Sequence, residues 1–185
     1  MIRLIYLLFF RLLGWKIIGD PPALRKYLIV VAPHTSNWDF MIGLAVRSIK
    51  RIQANFLGKR ELFRPPYGWI FRKLGGYPVD RKSSSQLVDQ IVQIAQREER
   101  FIVAIAPEGT RSSVEKWKTG FYYIAVGAEI PIVLVAVDYP SKTVIWGPPL
   151  YPSGDLSRDA VKIDAFFKDK KGKNRGAAPV LGTVR

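Results

Sequence analysis

The chain has one histidine, His34, in the stretch VAPHTSNWDF (31–40), with an aspartate five positions later at Asp39. A histidine at the end of an apolar run and an acid in the first turn of a following helix can meet across the loop between them. A carboxylate on one ring nitrogen fixes the tautomer and leaves the other nitrogen free to take a proton. Each residue also has an ordinary reading. A lone histidine is more often a surface or core residue with its hydrogen bond satisfied, and Ser36 with Asp39 three positions on has the spacing of a helix-capping box. Asp39 can do both jobs at once. With no partner nucleophile, a histidine base suits deprotonation of a substrate hydroxyl. Ser36 lies in no Gly-x-Ser-x-Gly elbow, which makes a serine hydrolase a weak rival.

A second cluster, PEGTR (107–111), places Glu108, Gly109, Thr110 and Arg111 directly after another apolar run. Such a string suits a turn stabilised by a Glu108 to Arg111 ion pair. It equally suits an oxyanion or phosphate cradle in which Arg111 supplies a planar fork of donors. GGYPVDR (75–81) sets Arg81 after a glycine turn. Two arginines near one base suggest a phosphorylated substrate.

These clusters need elements to hold them. KYLIVVA (26–32) and FIVAIA (101–106) are short continuous apolar runs rich in β-branched residues, as expected of buried parallel strands. RIQANFLG (51–58), PIVLVAVDY (131–139) and KTVIWG (142–147) read as further strands. Residues 39–50, 66–76, 83–100, 118–129 and 155–167 read as helices; in the third, Ser83 and Gln86 have capping-box spacing, and Leu87, Ile91 and Ile94 share a face. The pattern predicts an α/β fold: one domain with a mixed, largely parallel sheet flanked by helices. In open α/β sheets ligands bind outside the carboxyl ends of the strands, so both polar clusters could face one site.

At 185 residues the chain fits one domain, and 48% hydrophobic residues mark it as folded. It has no cysteine, which excludes disulfides, thiolate metal sites and a cysteine nucleophile, and a single histidine excludes a histidine-rich metal site. A formal charge of +14 predicts attraction to phosphates, an anionic membrane, an acidic partner or nucleic acid. The opening MIRLIYLLFFRLLGWKIIG is too short in its charge-free run to span a bilayer, for which about 20 residues are needed. On a helix Arg3 and Arg11 lie about 80° apart and can share a polar edge. Lys16 could snorkel from the end. Residues 1–20 are therefore expected to form an apolar, amphipathic helix lying in the membrane interface, a helix packed on the core being the alternative. Residues 21–167 would form the catalytic domain, and 168–185 a basic tail that stays solvated or frayed.

The blocks HTSNWD, GYPVDR, EGTR and Pro131 in EIPIVLV occur in the order of the glycerolipid acyltransferase family, which includes the 1-acylglycerol-3-phosphate acyltransferases, and the chain resembles that family from about residue 26 to 150. The resemblance implies that His34, helped by Asp39, deprotonates an acceptor hydroxyl, which attacks an acyl thioester on coenzyme A or acyl carrier protein. It implies that Arg81, Glu108, Gly109, Thr110 and Arg111 bind the acceptor's polar head, and that no metal or bound cofactor is needed. The expected partners are a lysolipid acceptor, the acyl donor and an anionic membrane surface, with the protein peripheral on the cytoplasmic face and no nucleic acid bound. Pro33, Val79 and the lone Pro131 depart from the family's usual residues, and Trp38 and Trp117 add bulk near the expected site. The departures bear on the acceptor: 1-acylglycerol-3-phosphate is the default, with lyso-aminolipids or other lysophospholipids as alternatives. A nucleic-acid-binding module would use the charge but leave the ordered motifs without a role.

Overall fold

In a computed structural model, residues 2–79, 84–112, 114–174 and 181 are described. In chain order the elements are α1 (Ile2–Leu12), β1 (Lys16–Ile18), β2 (Lys26–Ala32), α2 (Trp38–Ile49), β3 (Asn55–Lys59), a 3-10 turn (Arg60–Phe63), α3 (Gly68–Lys73), β4 (Gly76–Val79), α4 (Ser84–Arg97), β5 (Phe101–Ile105), α5 (Gly120–Gly127), β6 (Ile132–Asp138), β7 (Thr143–Leu150) and α6 (Leu156–Phe167). Seven strands form one sheet in the order β1-β7-β6-β2-β5-β3-β4. All neighbours are parallel except β6 and β7.

The apolar run of β2 can be continuous because both of its faces are covered. Leu28, Val30 and Ala32 pack with α4, α5 and α6, whereas Tyr27 and Ile29 pack with α1 and α2. β5 and β6 divide their side chains in the same way. In α4, Ile91 is buried and Leu87 and Ile94 pack beside it, as their spacing predicts; Ser83 lies outside the described residues.

Three local expectations are corrected. Residues 1–20 are not one helix: α1 ends at Leu12, Gly14 takes φ +73°, and Lys16–Ile18 pair with Thr143–Ile145 as the sheet edge. Trp15 and Ile17 join Phe10 in the core, which draws the chain out of the helix, and Lys16 starts the strand instead of ending a helix. Second, the predicted glycine turn at GGYPVDR is only Gly75, φ +87°, and Gly76–Val79 continue as β4. Third, residues 168–174 do not fray. The Lys171 amide donates to Asp138 Oδ1 (2.9 Å), and the Tyr139 amide donates to the Lys171 carbonyl (3.0 Å).

Helix α6 is tied to α5 by a buried carboxylate. Asp159 Oδ2 accepts from the Tyr122 hydroxyl (2.9 Å), the Ser153 amide (2.6 Å) and the Ser153 hydroxyl (2.9 Å). A carboxylate at 1% exposure is tolerable only with such donors. Asp159→Ala should lower unfolding free energy by about 2–4 kcal/mol and Tyr122→Phe by about 1 kcal/mol in denaturant titrations. Equal small losses in both would mean that Asp159 does not organise this junction.

Candidate active site

Strands β2 and β5 are neighbours, with Val30 opposite Ile105, so the loops that follow them emerge side by side at the carboxyl end of the sheet. This brings the two polar clusters together. His34 Nδ1 lies 3.1 Å from Asp39 Oδ2, with 26% of the histidine side chain exposed against 2% of the aspartate. Asp39 Oδ2 also accepts from the amides of Thr35 (2.7 Å) and Ser36 (2.8 Å), the second of these being the backward half of a capping box. Its Oδ1 accepts from the Tyr139 hydroxyl. Burial alone would raise the Asp39 pKa, but the bonds from His34, Tyr139, Ser36 and Thr35 outweigh it and hold the group below the usual carboxylate range. Burial, and then Asp39 itself, push the Tyr139 hydroxyl well above its ordinary value, so it remains a donor. A fixed anion therefore sits on Nδ1, and Nε2 is the nitrogen left for a proton in transit.

The second loop supports the first. Glu108, 1% exposed, accepts the His34 backbone amide on Oε1 at 2.8 Å. It lies beneath the loop, whereas Gly109, Thr110 and Arg111 are exposed. Gly109 takes φ +67° with its amide on the Ala106 carbonyl (3.1 Å), and the Lys118 amide closes the loop onto the Pro107 carbonyl (2.9 Å). Arg81 falls outside the described residues. Trp117 is buried and meets Phe167 edge-on at 5.1 Å, so it supports the loop from the core and does not line the site. Trp38 is half exposed beside the histidine loop.

Sequence reasoning missed two parts. Tyr139, directly after β6, reaches Asp39 across 100 residues and also meets the Trp15 ring edge-on at 5.2 Å. Its position past a strand's carboxyl end was the one available signal. The segment after α6 returns over the histidine loop: Asn174 Nδ2 donates to the Thr35 carbonyl (3.0 Å), and Lys173 Nζ stands 5.1 Å from the Trp38 ring centre. Gly172 lies so close to Thr35 that a Cβ would come within 2.4 Å of it. Nothing in that basic run marked it as a clamp.

Among the described residues no three histidine, aspartate or glutamate side chains gather to hold a metal. The family described as Acyltransferase matches residues 19–138, which hold the constellation except Tyr139 and the returning segment. The chain belongs to this acyltransferase family. A 1-acyl-sn-glycerol-3-phosphate acyltransferase of Streptococcus pneumoniae is 30% identical over 139 residues, covering 70% of this chain and 51% of the relative. The human 1-acyl-sn-glycerol-3-phosphate acyltransferase beta is 32% identical over 126 residues, covering 64% of this chain and 44% of the relative. The chain thus spans about half the length of the curated relatives it matches. The crystal structure of the 1-acyl-sn-glycerophosphate acyltransferase PlsC from Thermotoga maritima shares the fold, with a TM-score of 0.61 and 18% identity over 90% of this chain and 75% of that one.

The lowered Asp39 pKa has a defined sign. A group whose folded pKa is depressed adds stability above its unfolded pKa, and that contribution is lost as pH falls through the folded value. The stability gap between wild type and Asp39→Asn should be constant above about pH 5 and shrink as pH drops below about 4. Urea titrations across that range check it, and a gap indifferent to pH would contradict the coupling.

Proposed function

We propose that the protein transfers a fatty acyl group from a thioester, on coenzyme A or acyl carrier protein, to the hydroxyl of a lysophospholipid, with 1-acylglycerol-3-phosphate as the first acceptor to test. The observation that carries this reading is the His34 Nδ1 to Asp39 contact, held by Tyr139 and set at the joint end of β2 and β5. His34 Nε2 takes the acceptor's hydroxyl proton as its oxygen attacks the thioester carbonyl. The imidazolium formed is stabilised by Asp39, and the proton passes to the departing thiolate. No covalent enzyme intermediate is required. Glu108 sets the histidine backbone from below, and Gly109, Thr110 and Arg111, together with Arg81, bind the acceptor's phosphate. The names of the relatives favour a glycerol phosphate acceptor.

A long-chain acceptor lies in a bilayer, and α1 suits a place on its surface. Tyr6, Phe9 and Phe10 face the core, while Leu4, Ile5, Leu8 and Leu12 form an exposed outer stripe. Among the described residues no helix is long and apolar enough to cross a membrane. We place the protein on the cytoplasmic face of an anionic membrane, with α1 in the headgroup layer.

Mass-spectrometric detection of acylated product, across a panel of lysolipids with both thioester donors, tests the reaction. His34→Ala should reduce turnover by about 10²–10⁴-fold without loss of folding; full turnover would remove His34 as the base. Arg111→Ala should raise the acceptor's KM far more than the donor's. Equal effects on both would count against a headgroup role. Serine at Leu4, Leu8 and Leu12 should weaken vesicle binding at unchanged Tm, and unchanged binding would reduce α1 to core packing.

A further inference from the structure

The segment between β3 and β4 holds none of the residues assigned to acyl transfer, yet it is firmly built and presents a surface that water does not favour. Its inward pin is Phe63, which is buried. The Phe63 ring fits over Gly58 and Gly76, where a Cβ would come within 2.8 and 2.7 Å of ring atoms. Gly68 packs on the Phe63 backbone, where a Cβ would lie 2.0 Å from its carbonyl oxygen. Arg72 Nη1 donates to that carbonyl at 3.0 Å, with its guanidinium over the ring. With Phe63 pinned inward and Phe71 packed against its ring, four other large apolar side chains point outward: Tyr67 is 67% and Trp69 62% exposed, and Leu62 and Ile70 are exposed beside them. Residues 59–73 also carry Lys59, Arg60, Arg64, Arg72 and Lys73, all exposed, against Glu61 alone.

We propose that this insert is a second bilayer-seating element, separate from α1, that places Trp69, Tyr67, Leu62 and Ile70 among the headgroups of an anionic membrane. Aromatic and aliphatic tips ringed by cations match the interfacial layer, where the rings are half buried and the cations meet lipid phosphates. Position in the fold supports the same occupant. Leu57 and Tyr77 point into the core on the α4 and α5 side, so Phe56, Gly58 and Gly76 point to the opposite face of the sheet. Phe63 is therefore on the face that carries α1 and α2, and Phe40 of α2 meets Phe56 there edge-on at 5.2 Å. The exposed stripe of α1, the exposed Phe40 and Met41 of α2, and the insert thus belong to one layer. A bilayer covers all three together. A nucleic acid would pair with the cations but leave the apolar tips wet.

The inference adds to the membrane placement above and does not depend on acyl transfer, because its readouts are binding alone. The full chain is mixed with vesicles of phosphatidylcholine, with and without phosphatidylglycerol, some carrying brominated acyl chains that quench nearby tryptophan. Wild type should bind the anionic vesicles and lose part of its emission to bromine. Trp69→Phe should still bind but lose most of that quenching, whereas Trp38→Phe keeps it. Serine at Leu62, Tyr67, Trp69 and Ile70 together should weaken partitioning by roughly tenfold or more at unchanged Tm. Quenching in Trp69→Phe equal to wild type, or undiminished binding of the fourfold variant, overturns the proposal. So does wild type that ignores vesicles and is retained on DNA.

Discussion

A carboxylate buried to 2% of its side-chain surface is costly unless nearly every lone pair is met, and at Asp39 the requirement shapes the whole carboxyl end of the sheet. Two of its donors are amides of the Thr35–Ser36 turn, one is the histidine ring and one is the phenol after β6. Local donors fix the turn, and the distant one fixes the turn to the sheet. The histidine is then positioned twice, through its ring by Asp39 and through its backbone by Glu108. Ring and backbone are thus held from two different loops, one after β2 and one after β5. Two strands had to lie side by side for this, and the parallel pairing of β2 with β5 provides it.

Legibility in the sequence followed separation along the chain. His34 and Asp39 lie five residues apart, at the two ends of one short loop, and Glu108 follows a strand of the same buried type, so the strand-end rule alone put them together. The continuous apolar runs that became β2, β5 and β6 were readable because strands covered on both sides cannot alternate. Tyr139 and Asn174 were not readable, since their partners lie 100 and 139 residues away and neither residue type advertises such a role. β1 has three residues, too few to show any period, and Trp15 before it and Ile17 within it continued the apolar character of α1. At β4 glycine suggested a turn, whereas the strand uses Gly76 to admit the Phe63 ring.

Glycine serves one purpose repeatedly in this molecule, which is close approach. Gly172 lets the returning segment lie on Thr35, and Gly58, Gly68 and Gly76 surround Phe63. In each case the missing Cβ is space already taken by a neighbour, so alanine there costs packing as well as backbone freedom.

The Trp15 ring lies against Tyr139, whose hydroxyl holds Asp39, and Trp15 follows α1 by a single bend at Gly14. One indole consequently packs against both Phe10 of the first helix and the tyrosine that holds the site's aspartate. Substitution at Trp15 therefore touches the packing of α1 and the seat of the tyrosine that holds the carboxylate at the same time.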